Sequence, residues 1–188
     1  MYERRAFAST PSRVLGWILL AVAVANFVDL AIRGRDHASL VAAAALLLGC
    51  GVVYVLCLRP GVVAGSDGVD MRNPLRDVHV PWASLENVDV TDALRLHSAG
   101  RKHRSWALQE TSRTRAKARM RRPRTDLPEN VADAVAGRTR TEYIAEQLRE
   151  MSVERASGEP AGSRTTWSWP SVAAVVVPAV LLVVALLV

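Results

Sequence analysis

Three long apolar runs dominate the chain, at residues 15–32, 38–58 and 171–188, and they contain one charged residue, Asp29. A helix of 18 to 21 residues is about 27 to 32 Å long, which is close to the hydrocarbon thickness of a bilayer. The pattern therefore predicts three membrane-spanning helices. Asp29 lies four residues before Arg33. We expect an interfacial ion pair between them, and a proton or ion path is the alternative interpretation.

Between the second and third runs, apolar and polar residues alternate in steps of two, which is typical of antiparallel strands. Turn residues at 66–68, 73–74 and 98–100 separate the alternating stretches. The pattern predicts five or six strands with one apolar face. The positions predicted to face the core are Val69, Met71, Val78, Val80, Trp82, Val88, Val90, Leu94, Leu96, Trp106 and Leu108.

A short amphipathic helix follows later in the chain. Thr139 and Glu142 have the spacing of a capping box, which marks the start of a helix. We expect this helix to cover the open face of the sheet; lying on a membrane or a partner is the alternative. The apolar residues at helical spacing are Tyr143, Ile144, Leu148 and Met151.

These patterns divide the chain into seven segments. The lysines and arginines are unevenly distributed, since residues 59–166 hold 19 of the 24. Cations near the spans are retained in the cytoplasm, so we expect a multi-pass protein whose N-terminus and residues 59–166 are cytoplasmic. The segments are a cytoplasmic N-terminal segment (1–14), a transmembrane hairpin (15–58), a β domain (59–110), a basic, flexible insertion (111–138), an amphipathic helix (139–153), a linker (154–166) and a C-terminal transmembrane helix (167–188).

The β segment resembles the bacterial pleckstrin-homology (PH-like) domains of small actinobacterial membrane proteins. The resemblance covers RPGVVAGSDGVDMRNPLRDVHVPWASLENVDV and the hairpin LRLHSAGRKHRSWALQ, with GV-x-x-RNPLR at 68–76 and VPW at 80–82 as its motifs. It implies a seven-strand barrel capped by a C-terminal helix, and a bacterial plasma membrane. It assigns no ligand residue. The predicted fold is thus an α-helical membrane protein of three spans with a small antiparallel β PH-like domain, a partial barrel plus helix.

The positive charge of the chain is local. The whole chain has a formal charge of +6, whereas residues 101–124 alone contain ten Lys/Arg and one acid, a local charge of +9. This basic run is the candidate contact to anionic lipid. A solvated, self-repelling linker is the alternative, and the lack of aromatics within residues 113–124 disfavours nucleic acid. The candidates are Arg113, Arg115, Lys117, Arg119, Arg121, Arg122 and Arg124.

The sequence contains no catalytic or metal-binding motif. The two cysteines lie in the second span without a CxxC motif, and the four histidines are scattered. We therefore predict no catalytic, cofactor-binding or metal-binding residues, and a non-enzymatic interaction or scaffold protein. Its expected partners are membrane lipids, or another membrane or cytoplasmic protein. The alternatives are a membrane-tethered nucleic-acid or ribosome-proximal binder acting through residues 113–124, and a small membrane enzyme.

Overall fold

The computed structural model describes residues 5–109, 139–156 and 162–187. The chain contacts divide it into a β unit (Met1–Phe7, Gly61–Met71, Val78–Arg164) and a helical unit (Ala8–Pro60, Arg72–Asp77, Thr165–Val188). In chain order the elements are β1 (Arg5–Phe7), α1 (Thr10–Arg33), α2 (His37–Val53, continued by a π-helical turn, Tyr54–Leu58), β2 (Gly61–Ala64), β3 (Gly68–Arg72), β4 (Arg76–Pro81), a 3-10 turn (Trp82–Ser84), β5 (Leu85–Val90), β6 (Ala93–Ser98), β7 (Arg101–Gln109), α3 (Arg140–Arg155), β8 (Arg164–Trp167) and α4 (Trp169–Leu187).

The strands form two sheets, in the orders β1-β2-β3-β4-β8 and β5-β6-β7. In the first sheet, β1 pairs antiparallel with β2 and places Phe7 opposite Val62. In the second sheet, β5 and β6 are antiparallel with Val88 opposite Leu96. The antiparallel β fold predicted from the alternation is therefore confirmed.

Helix α3 supplies the cover that the open β face requires. Its side chains Ile144, Ala145, Leu148 and Met151 are buried and belong to the same core as the inward residues of both sheets. The helix contacts β5, β6 and the 3-10 turn. The capping box is also confirmed, because the Thr139 hydroxyl accepts from the Glu142 N–H and the Glu142 carboxylate accepts from the Thr139 N–H. The strand residues in this core are Val62, Ala64, Val69, Met71, Val78, Val80, Val88, Leu94, Leu96, Ala107 and Leu108.

Trp106 does not face the core, so this prediction was wrong. Its side chain is 49% exposed, and the neighbouring Ala107 is buried. The cause is a change of register between β6 and β7: Ala93 lies opposite Gln109, but Arg95 lies opposite Arg104. Strand β7 therefore contains extra residues at this bulge, and strict alternation fails there.

Tyr143 is also on the solvent side, contrary to the prediction. Its ring is exposed, and its hydroxyl accepts a hydrogen bond of 2.9 Å from the Gln147 amide. The buried face of α3 instead begins at Thr141 and continues through Ile144 and Ala145. Tyr143 precedes Ile144 by one position, about 100° around the helix, which moves it off this face.

Two short strands lie in segments where the pattern predicted none. Strand β1 precedes α1, and strand β8 lies at the end of the segment interpreted as a linker. All four residues of β8 are exposed. Such a strand carries no alternation of apolar and polar residues, so only its pairing at the sheet edge reveals it.

Helices α1, α2 and α4 are long and apolar enough to cross a membrane, by length and composition. Within the helical unit, α2 packs against both α1 and α4. Two glycines permit close approach. A Cβ on Gly16 would lie 2.9 Å from Cys57 Cβ, and one on Gly51 would lie 1.9 Å from the Ala174 carbonyl oxygen. Small residues at such crossings are typical of packed membrane helices.

Candidate functional site

The seven predicted lipid-contact cations lie outside the described residues, so this assignment stays a prediction. Strand β7, which ends one residue before the undescribed stretch, carries the first cations of the basic run. Arg101 and Lys102 are exposed. Arg104 pairs with Asp92 at 2.8 Å. The β7 strand therefore continues the basic character of the run into the described domain.

Asp92 partly neutralises this surface. Its carboxylate accepts a hydrogen bond from Arg95 and also faces Arg104. The hydrogen bond from Arg95, assisted by the charges of the two arginines, lowers the pKa of Asp92 below its ordinary value. Asp92 is thus ionised at neutral pH and compensates part of the charge of Arg95 and Arg104, so the exposed Arg101 and Lys102 carry the excess positive charge on β7.

The histidines of the β unit do not form a metal site. His79 Nδ1 lies 2.6 Å from an Asp70 carboxylate oxygen on the polar face of the sheet. His103 Nε2 lies 3.0 Å from the Ser163 hydroxyl, and burial lowers the pKa of His103. His103 is therefore uncharged near neutral pH. In the described part of the chain, no group of three or more His, Cys, Asp or Glu could hold a metal ion.

Trp82 is a core residue. Its side chain is 2% exposed, and its indole N–H donates to the Gly65 carbonyl at 3.1 Å. Arg155, at the end of α3, donates to the same carbonyl at 3.0 Å and lies 5.8 Å from the centre of the Trp82 ring. Trp82 therefore joins the helix to the β2–β3 turn and has no free face for a ligand.

The turn between β3 and β4, residues 72–77, belongs to the helical unit, and we call it the hairpin tip. Arg59, just after α2, donates to both carboxylate oxygens of Asp77, at 2.7 and 2.6 Å, and also to the Asn73 carbonyl. The side chain of Arg59 is only 10% exposed. Nη2 contacts the Asp77 carboxylate while Nη1 donates to the Asn73 carbonyl, so the guanidinium is held at two points and anchors the end of α2 to the hairpin tip.

The start of α4 is anchored to the same tip. The Ser168 N–H donates to the Leu75 carbonyl at 2.9 Å. The Arg76 guanidinium lies 4.6 Å from the centre of the Trp167 ring, in cation–π geometry. The hairpin tip therefore connects α2 and α4, which are far apart in sequence.

Replacing Asp77 by Asn should weaken the attachment of α2 to the hairpin tip by about 1 to 2 kcal/mol, because the nearly buried Arg59 guanidinium loses its charged acceptor. The readout is faster hydrogen exchange at residues 72–77 in the purified chain. Asp29→Asn is the matched control. Asp29 also pairs with an arginine, at 3.0 Å, but both side chains are largely exposed, so the cost there should be below about 1 kcal/mol. Equal effects of the two variants would contradict the anchoring role of Arg59.

The predicted pairing inside the first span is confirmed. Arg33 Nε lies 3.0 Å from an Asp29 carboxylate oxygen. Asn26, on the same helix, donates to the Val22 carbonyl at 2.8 Å. Both polar side chains thus have partners within their own helix.

Residues 59–140 match the family model described as a bacterial PH domain. The match begins at the arginine that anchors the hairpin tip and continues through all six strands from β2 to β7. No curated protein and no solved structure matches the chain. A PH-like domain suggests an interaction or scaffold role, and such domains are generally non-catalytic.

Sequence reasoning missed the contacts that build the hairpin tip. Arg59 lies 18 residues from Asp77 in the chain, and Trp167 is far more distant from Arg76. The available signals were a charged residue directly after a span and a tryptophan directly before one. Neither signal identifies its partner, because Asp77 and Arg76 lie in a turn whose sequence is that of an ordinary hairpin.

Proposed function

We propose that the protein is a membrane-anchored PH-like interaction or scaffold protein without enzymatic activity. The observation that carries this proposal is the way in which the helices join the sheet. Each span-length helix is linked to a strand of the first sheet by one or two residues: α1 to β1, α2 to β2 and α4 to β8. Two residues span at most about 10 Å between the flanking residues. A domain tied three times by such short links is well suited to hold a binding surface at the bilayer.

The same links support a topology. Strands β1, β2 and β8 share one sheet, so the helix ends near Thr10, Leu58 and Trp169 should lie on one side of the membrane. The excess of Lys and Arg in residues 59–166 assigns that side to the cytoplasm. We therefore infer a multi-pass protein of the bacterial plasma membrane with three spans. The resemblance to actinobacterial proteins favours such a source.

Residues 113–124, the later part of the basic run, are the proposed contact to anionic lipid. Each cation held near an anionic surface contributes about 1 kcal/mol, and the attraction decays over a Debye length of about 8 Å at physiological salt. Arg101 and Lys102 on β7 extend the charge toward the domain. The contribution should therefore be additive and sensitive to salt.

A peptide covering residues 110–125 tests this proposal. Replacing Arg119, Arg121, Arg122 and Arg124 by Gln should weaken its cosedimentation with anionic vesicles by at least tens-fold and flatten the salt dependence. Vesicles of neutral lipid are the control. Equal binding of both peptides at low salt would contradict lipid contact through this run, and tighter binding to RNA than to vesicles would favour the nucleic-acid alternative.

A further inference from the structure

The hairpin tip lies at the level where α4 begins. The peptide N–H of Ser168 donates to the Leu75 carbonyl at 2.9 Å, and Ser168 is flanked in sequence by Trp167 and Trp169. Both rings are exposed, Trp169 by 75%. Tryptophans that precede a span favour the headgroup boundary of the bilayer. A backbone hydrogen bond between them therefore holds Leu75 at the same depth.

The exposed side chains of the tip suit that depth. Leu75 is an apolar residue that is 42% exposed. It lies at the apex of a two-residue turn, which is closed by a hydrogen bond of 2.9 Å from the Asn73 N–H to the Arg76 carbonyl. Arg72 and Arg76 flank this turn, and both are exposed. Strand alternation places the two arginines on opposite faces of the hairpin. An apolar apex between two cations is the composition expected of a surface that meets lipid headgroups.

The charge of the tip is positive because its acid is already neutralised. Asp77 is bound by Arg59 through both carboxylate oxygens. Arg76 rests on the Trp167 ring, which orients the guanidinium and leaves its N–H groups able to donate. Arg72 and Arg76 thus supply two exposed guanidiniums, the group best suited to bind phosphate. Because the backbone of the tip is fixed by Arg59 and Ser168, little ordering is needed on binding.

We propose that the hairpin tip is a second lipid-contact site, in which Leu75 enters the headgroup region and Arg72 and Arg76 bind the phosphates of anionic lipids. This site is separate from the proposed lipid contact at residues 113–124 of the basic run. It rests on the proposed membrane anchoring, and it makes the PH-like domain itself part of the membrane interface.

Depth-dependent fluorescence quenching tests the position of the tip. The full chain, with Cys50 and Cys57 replaced by Ala, is labelled at one introduced cysteine and reconstituted into vesicles of phosphatidylcholine and phosphatidylglycerol. The probe at Leu75→Cys should be quenched by nitroxides near the headgroup. Ser66→Cys, in the exposed turn at the other end of β3, is the control and should be quenched weakly, since a five-residue strand separates the turns by about 17 Å. Val177→Cys, within α4, should be quenched by nitroxides deep in the acyl chains.

The outcomes separate this inference from the proposed function. Quenching at Leu75 no stronger than at Ser66, with Val177 quenched deep in the bilayer, would overturn the tip site and leave membrane anchoring intact. A Val177 probe that is not quenched would contradict the anchoring itself, and the tip site with it.

The charge of the tip is tested in the same vesicles. Quenching at Leu75→Cys should be stronger when the nitroxide is on phosphatidylglycerol than when it is on phosphatidylcholine. Arg72→Gln with Arg76→Gln should lower that preference, by up to about fivefold for each cation, whereas the double Lys variant should retain it. Arg33→Gln with Arg35→Gln is the matched control: it also removes two exposed cations, but at the far end of α1, and it should leave the preference unchanged. A preference unaffected by removal of the two tip arginines would overturn their role in phosphate binding.

Discussion

Replacing Trp82 by Ala should lower the free energy of unfolding of the β unit by about 3 to 5 kcal/mol. The side chain is 2% exposed and belongs to the core shared by both sheets and α3. Truncation leaves a cavity and also removes the indole N–H that donates to the Gly65 carbonyl. The measurement is the urea midpoint of the full-length chain in detergent, followed by pulse proteolysis of residues 61–109.

Trp106→Ala is the matched control for this substitution, since it removes the same side chain from an exposed position on β7. Its cost should stay below about 1 kcal/mol, because surface substitutions remove little buried area. A midpoint that shifts equally in the two variants, or that does not shift in Trp82→Ala, would contradict the assignment of Trp82 to the core.

Replacing Gly51 by Ala should separate α2 from α4. The added Cβ would lie 1.9 Å from the Ala174 carbonyl oxygen and 2.9 Å from the carbonyl carbon. These are backbone atoms, so no side-chain rotation relieves the contact, and the whole helix must move. We expect a loss of about 3 kcal/mol, at the upper end of the range for overpacking. The measurement is the thermal midpoint of the purified chain in detergent.

Gly49→Ala provides the comparison on the same helix. A Cβ at Gly49 meets no atom within 4 Å, and alanine is the better helix former by about 1 kcal/mol in soluble helices. This variant should be neutral or slightly stabilising. If both alanine variants lowered the midpoint alike, the close crossing of α2 and α4 at Gly51 would be contradicted.

Much of the β unit could be predicted from the sequence because its strands keep strict alternation. The inward positions Val69 and Met71 on β3, and Val78 and Val80 on β4, are all buried. The start of α3 could be predicted as well, since a capping box is a local signal that needs no knowledge of tertiary contacts. Local periodicity and local hydrogen bonding are therefore reliable guides in this chain.

The exposed Trp106 could not be predicted, because the bulge in β7 depends on pairing with β6. The extra residues arise between the Ala93–Gln109 and Arg95–Arg104 pairs, and nothing within the β7 sequence marks the change. The exposure of Tyr143 could not be predicted for a different reason. Tyr143 is an apolar residue at helical spacing, but its exposure is decided by the rotation of α3 on the sheets.

The hairpin tip could be predicted only in part. The sequence marks the RNPLR stretch as a turn, through Asn73 and Pro74, and as a motif of the family that it resembles. Its relation to Arg59 and Trp167 depends on long-range contacts between the turn and the ends of two helices. Strand β8, which leads directly into α4, carries no apolar pattern of its own. The candidate lipid surface at the tip therefore emerges only from the folded arrangement.

The most direct test of the central claim is the side of the membrane on which each part of the chain lies. A reporter that is active only in the cytoplasm should function when fused at Gly162, because residues 59–166 are expected to be cytoplasmic. The same reporter fused after Val188 should be inactive, because α4 is proposed to cross the bilayer. Activity at both positions would contradict a third span, and with it the proposal of a PH-like domain anchored by three membrane helices.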